Sequence, residues 1–168
     1  MSRLRKTLFF HQFKAEAIAM IKAEVKMFEA RAKKQGFVLL VRLNGTSDVR
    51  WENYDIIQSY PAVQFYDYTK LANRKNVPAN YDLTFSYSGV PAYQTQVRLA
   101  IKAGMRMAVV FGKRSTVESM LTNATPFMGL TVVDGDDTDI RHIDPMGAAV
   151  ALYAKGRAKQ DTSGFVVR

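Results

Sequence analysis

Short apolar runs alternate with helix-forming segments along almost the whole chain, and this alternation constrains the fold more than any other feature. The runs are "FVLLVRL" at 37–43, "VQFYDY" at 63–68, "DLTFSY" at 82–87, "MAVVFG" at 107–112, "LTVVDG" at 130–135 and "AAVALYA" at 148–154. Each is short, apolar and largely β-branched or aromatic, as strands are. Between them lie "RWENYDIIQSY" at 50–60, "YQTQVRLAIKAG" at 93–104 and "STVESMLTN" at 115–123, which read as helices. Strands separated by helical segments pair in parallel, because parallel neighbours need a long crossover. Runs such as "FVLLVRL" and "MAVVF" predict burial on both faces of the sheet. The expectation is a single α/β domain over 1–168 with a mostly parallel six-stranded sheet. Periodicity leaves two forms open, an open sheet and a partial (β/α) barrel.

An amino-terminal amphipathic helix precedes the sheet. Residues 11–35, "HQFKAEAIAMIKAEVKMFEARAKKQ", are strong helix formers, with Phe10, Phe13, Ala17, Ile21, Phe28 and Ala32 spaced three, four or seven apart. Gly36 supplies the left-handed residue that ends such a helix. This segment is also basic: Arg3, Arg5, Lys6, Lys14, Lys22, Lys26, Arg31, Lys33 and Lys34 stand against Glu16, Glu24 and Glu29. Within a chain of net charge +9, that balance suits either a solvated helix face or a surface for nucleic acid or an acidic host protein.

Several function classes drop out. The chain has no cysteine, which removes thiolate metal sites, iron–sulfur clusters, disulfides and cysteine nucleophiles. The start "MSRLRKTLFFHQ" has too short an apolar stretch for a signal peptide, and no run is long enough to span a bilayer, so no membrane role is expected. The serines lack a glycine-flanked elbow, and His11 and His142 have no readable partners, so no catalytic residue is assigned.

Parallel α/β folds place ligands at the carboxyl ends of their strands, so the residues that follow each run are the informative ones. Asn44, Thr46, Ser47 and Asp48 follow the first run; Asp67, Tyr68, Thr69 and Lys70 end the second; Ser86 and Ser88 follow the third. Lys113 and Arg114 follow the fourth, Asp134, Asp136, Asp137 and Asp139 the fifth, and Lys155 and Arg157 the last. Asn44, Ser47, Asp48, Asp67, Lys70, Asp134, Asp136 and Asp139 are the candidate ligand-binding residues of one polar rim. Ser47 or Asp48 is also placed to cap a helix starting near Trp51. The acidic stretch "DGDDTD" has its glycine second and no closing glutamate, which excludes a calcium loop of the EF-hand type. No metal site is assigned, and a polar turn around "DG" is the simpler reading.

The blocks "NGTSD", "YDYTK" and "DGDDTD", within "VRLNGTSDVRWENYDIIQSYPAVQFYDYTKLANRKNVPANYDLTFSYSG" and "FMGLTVVDGDDTDIRHIDPMGAAVALYAKGRAKQDTSGFVV", resemble the carboxyl-terminal portion of a phage family. This is the gene-product eighty-eight family, whose longer members look similar to radical SAM proteins, and the resemblance covers roughly residues 4–168. It implies a parallel, partly barrel-like domain in the host cytoplasm with its ligand face at the strand ends. Longer members carry a cysteine-rich segment, and without cysteine this chain is not expected to perform radical chemistry. The resemblance implies no cofactor beyond a SAM-like or nucleotide ligand. Its alternative partners are nucleic acid and an acidic host protein. Self-association would cover surface left bare by a missing amino-terminal segment.

Overall fold

The computed structural model describes residues 2–45 and 47–168. Thr46 therefore lies outside the described residues, as does the side chain of Arg3. The basic segment forms two helices rather than one, α1 (Ser2–Gln12) and α2 (Lys14–Gln35). The break is at Phe13 (φ −130°, ψ 60°), although its N–H still donates to Phe9 O at 2.8 Å. Gly36 (φ +72°) ends α2 as read, and Phe37 N–H donates back to Ala32 O at 2.9 Å. That is the six-to-one bond of a Schellman cap, with Lys33 and Lys34 complementing the dipole in the last turn.

Six strands follow: β1 (Leu40–Val41), β2 (Gln64–Thr69), β3 (Tyr81–Ser86), β4 (Met107–Phe111), β5 (Thr131–Asp134) and β6 (Ala148–Tyr153). All pair in parallel, in the order β1-β2-β3-β4-β6-β5, with β1 and β5 at the open edges. Helices α3 (Gln94–Lys102) and α4 (Arg114–Thr122) link β3 to β4 and β4 to β5. The fold is an α/β sheet, and it is not a closed barrel.

Registry assigns the two faces. Phe65, Asp67, Tyr81, Leu83, Phe85, Met107, Val109, Phe111, Ala149, Ala151 and Tyr153 share one face. Against it pack Val25 of α2, Trp51, Ile56 and Ile57 toward β2, and Val97, Ala100 and Val117 of α3 and α4 toward β4 and β6. Every forward step of the chain thus lies on this face. The step from β5 back to β6 reverses direction, and a single hand of crossover sends it over the other face. There the connector 135–147 meets Tyr66 of β2, whose ring centroid is 6.2 Å from that of His142. Its Asp144 O accepts bonds from Arg106 Nε (2.9 Å) and Nη2 (2.6 Å).

Three expectations need correction. Residues 50–60 form a 3-10 turn at Trp51–Asn53 followed by hydrogen-bonded turns, not an α-helix. Pro61 disfavours helical backbone at Tyr60, and Asn80 Nδ2 holds the carbonyls of Ile57, Tyr60 and Val63 at 3.2, 3.0 and 3.0 Å. "FVLLVRL" supplies only two strand residues, because β2 begins at Gln64 opposite Leu40 and nothing pairs with the residues before. Phe37 and Val38 are exposed rather than buried. Phe13 at the break and Phe28 on α2 also face solvent; the inner stripe of α2 is Ala17, Ile18, Ile21 and Val25.

The chain's last residues return to the sheet. Val167 bridges Phe111, donating to Val110 O at 2.9 Å and accepting from Gly112 N at 2.8 Å. It fills the gap where β3 and β4, paired only at Phe85–Met107 and Ser86–Ala108, diverge.

Candidate functional site

The strand ends carry two separate polar groups rather than one rim. The first gathers Asn44, Ser47, Asp48, Asp67 and Lys70 around the ends of β1, β2 and β3. Asp67 projects from β2 into the core, where its Oδ1 accepts from Asn44 N and its Oδ2 from Tyr81 Oη, both at 2.8 Å. Asn44 Oδ1 in turn accepts from Ser47 Oγ (2.8 Å), Val49 N (3.0 Å) and Trp51 Nε1 (3.0 Å), and Nδ2 donates to Val49 O at 2.9 Å. Asp48 does not cap the turn at Trp51. Its Oδ2 accepts from Lys70 N (2.7 Å) and Thr69 Oγ1 (3.1 Å), and its Oδ1 lies 3.4 Å from Arg74 Nη1. Arg74 is buried against Glu52, which is itself buried.

These groups hold one another in place. Burial pushes the Asp67 carboxyl up to about 6 despite its two donors. Lys70 Nζ donates to Ser86 O (2.6 Å), Ser86 Oγ (3.0 Å) and Tyr87 O (2.9 Å), under the rings of Tyr93 and Phe165. Burial lowers its pKa to about 8, with Asp48 opposing. Lys70 ties β2 to β3, and the loop after β1 is stitched to both.

The second group lies at the ends of β5 and β6, some strands away. Here α4 follows β4 on one face of the sheet and the 135–147 connector follows β5 on the other. Such a reversal opens a crevice at the strand ends, where open α/β sheets take their ligands. A cleft of about 180 Å³ occupies it, lined by Arg114, Glu118, Asp134, Asp136, Asp137, Tyr153 and Lys155 with Val117 and Leu121 at the back. Tyr153 has two cations near its ring, Lys155 Nζ 4.6 Å and Arg114 Cζ 5.7 Å from the centroid. Asp136 orders the turn: its N–H donates to Asp134 Oδ1 (2.8 Å), its Oδ2 accepts from Tyr153 N (3.1 Å) and its Oδ1 from Lys155 Nζ (2.6 Å). That last bond raises the Lys155 pKa. Asp134 and Asp137 are exposed at the mouth, and Asp139 lies further along the connector, its carbonyl accepting from Arg141 N at 3.0 Å.

Gly135 lets the turn after β5 close onto β6. A Cβ there would fall 2.5 Å from Val150 Cγ1 and 2.8 Å from Arg141 Nη1. Arg141 is wholly buried beneath the turn, with Nη2 donating to Gly135 O at 3.0 Å and Nη1 3.3 Å from Asp144 Oδ2. His142 lies near Tyr66, the two rings 6.2 Å apart and tilted by 49°. Among the described residues no cluster of three or more acidic or histidine side chains is arranged to hold a metal ion. Sequence reading missed Tyr153 and the buried Arg106 and Arg141. Tyr153 was detectable: it shares strand parity with Ala149 and Ala151, and on that face it is the first large side chain after the small ones. The buried arginines carry no such signal, since arginine in a connector is normally solvated.

Among the described residues no helix is long and apolar enough to cross a membrane. No curated protein and no solved structure matches the chain. One family model does, described as gene product 88, and it spans residues 1–168. With the whole length matched and the strand-end blocks all inside it, the chain belongs to the gene product 88 family.

Proposed function

We propose that this protein binds a small nucleotide-like or SAM-like ligand in the crevice between α4 and the ends of β5 and β6, without iron–sulfur chemistry. The observation that carries this reading is Tyr153 placed beside Arg114 and Lys155 at the point where the chain reverses direction. A planar ring stacks on the tyrosine, a phosphate or carboxylate meets Arg114 and Lys155, and Asp134 or Asp137 accepts from ribose hydroxyls or an amine. Pockets for whole drug-sized ligands run to about 300–1,000 Å³. At about 180 Å³ the cleft therefore encloses a ring and one polar group, and leaves the rest of the ligand at its mouth. Asn44, Ser47, Asp48, Asp67 and Lys70 act in this reading as the frame of the opposite strand ends, their polar atoms being satisfied by one another and by neighbouring backbone, whereas Arg114 and Lys155 are exposed even where they pair with Glu118 and Asp136.

The test is a melting curve with AMP, ATP, SAM and S-adenosylhomocysteine at millimolar concentration. Ligand at about 100 times Kd adds about 2.7 kcal/mol to stability. The shift should vanish in Tyr153→Ala and shrink in Arg114→Ala. No shift with any of the four, and none retained on denaturation as judged by mass spectrometry, would remove the proposal.

A second reading draws on a different surface. Arg5, Lys6, Lys14, Lys26, Arg31, Lys33 and Lys34 are all exposed on α1 and α2. Such a face suits nucleic acid or an acidic host protein, and nucleic-acid affinity would fall steeply between 50 and 200 mM salt.

A further inference from the structure

Helix α2 is apolar on two opposite faces. The inner one, Ala17, Ile18, Ile21 and Val25, packs on the sheet. The outer one repeats every seven residues: Phe13, Met20 and Met27 form one row, and Glu16, Ala23 and Ala30, three residues on from each, form the second. Phe13, Met20 and Met27 are 50%, 56% and 57% exposed, and Ala23 and Ala30 are exposed beside them. Phe9 extends the stripe, its ring 5.6 Å from that of Phe13. A single apolar stripe is enough to seat a helix on a sheet, so a second one at heptad spacing points to a second partner, and heptad spacing is the pattern of helix-on-helix pairing.

We propose that α2 pairs antiparallel with α2 of a second copy of this chain, forming a two-fold dimer. Three features of the stripe select this occupant. One row is large and the other small except at Glu16, so antiparallel pairing sets Phe13 against the second copy's Ala30 and Met20 against its Ala23, where large fills small, and the layer between them sets Met27 beside the second copy's Glu16. Parallel pairing would instead place Glu16 against Glu16 within the seam. Antiparallel pairing brings Glu16 beside the second copy's Lys26, and by symmetry this pair forms twice. The helix has 22 residues, about 33 Å at 1.5 Å per residue, which spans the layers from Glu16 to Ala30, with Phe13 at its amino-terminal boundary. The stripe points away from the sheet, so the crevice at the strand ends stays open and this proposal is independent of the ligand reading.

Sedimentation and light scattering over 1–100 μM test it on the full chain. The expected mass is twice 18.9 kDa at the upper concentrations. Met20→Lys, an exposed change, should give a monomer with an unaltered circular dichroism spectrum. Glu16→Lys and Lys26→Glu should each weaken the dimer by about tenfold, since two attractive pairs become repulsive. The double variant should restore it, which a merely structural role for either residue would not do. A monomer at 100 μM, a dimer unaffected by Met20→Lys, or no recovery in the double variant overturns the proposal. A monomer that binds anionic vesicles through this face also overturns it and assigns the stripe to a membrane surface.

Discussion

Asp67 gives the structure its clearest pH signature. Its carboxyl is buried in the core, and burial pushes its pKa from 3.8 to about 6. A carboxyl whose folded pKa exceeds its unfolded one binds its proton more tightly when folded. Its contribution is therefore most favourable below pH 3.8 and is lost as pH rises to about 6. At 1.36 kcal/mol per unit the loss is about 3 kcal/mol, constant above that window. Glu52, Asp55 and Asp161 run the other way, since their folded pKa values are lowered. The Asp67 effect must accordingly be read as a difference between the wild type and Asp67→Asn. Asparagine keeps an acceptor for Asn44 N, and the Tyr81 hydroxyl turns to accept from the new amide, so the variant retains the network. Urea unfolding followed by Trp51, the chain's one tryptophan and a member of the same network, reports both proteins. Stability of the wild type minus that of the variant should fall by about 2 kcal/mol between pH 4 and pH 6.5 and then level off. A difference that stays constant within about 0.5 kcal/mol over that range would refute the account of how Asp67 is held.

Two further outcomes bear on the frame. Gly135→Ala forces Val150, Arg141 or the Ala151 carbonyl to move, and should cost about 1–3 kcal/mol in thermal unfolding. Gly45→Ala, with nothing within 4 Å of the new methyl, should stay within about 0.5 kcal/mol, and equal effects would show that the close approach at Gly135 does not matter. Glu52→Gln leaves Arg74 buried with only Asp48 as counter-charge and should cost about 3 kcal/mol, whereas Glu52→Leu with Arg74→Met should recover most of it. A loss below 1 kcal/mol in the single variant would mean that water reaches the pair.

The sheet was legible because its signals are local. Five of the six apolar runs became strands within a residue or two of the expected bounds, and α3, α4 and the Gly36 cap followed from propensity and punctuation. The failures are tertiary. Residues 50–60 have helix-compatible composition, yet Asn80, distant in sequence, takes their carbonyls. "FVLLVRL" has strand composition, but strand length is set by the partner, and β2 starts late. The polar residues after each run were found, but their grouping was not. That depends on strand order, and order is invisible to periodicity: β6 lies between β4 and β5, which carries Asp134 and Asp136 away from Asp48 and Asp67.

The placement of β6 also dictates when the sheet can close. Among the described residues β5 pairs in the sheet with β6 alone, so residues 131–134 leave the ribosome before that strand partner exists. At about 5–20 residues per second the wait for residues 148–153 is on the order of seconds. During that interval the nascent chain carries a bare strand, and the vacancy beside β4 is open to whichever segment arrives first. Vectorial synthesis thus makes the 135–147 connector a timing element, since lengthening it prolongs the stage at which a mispaired sheet can form.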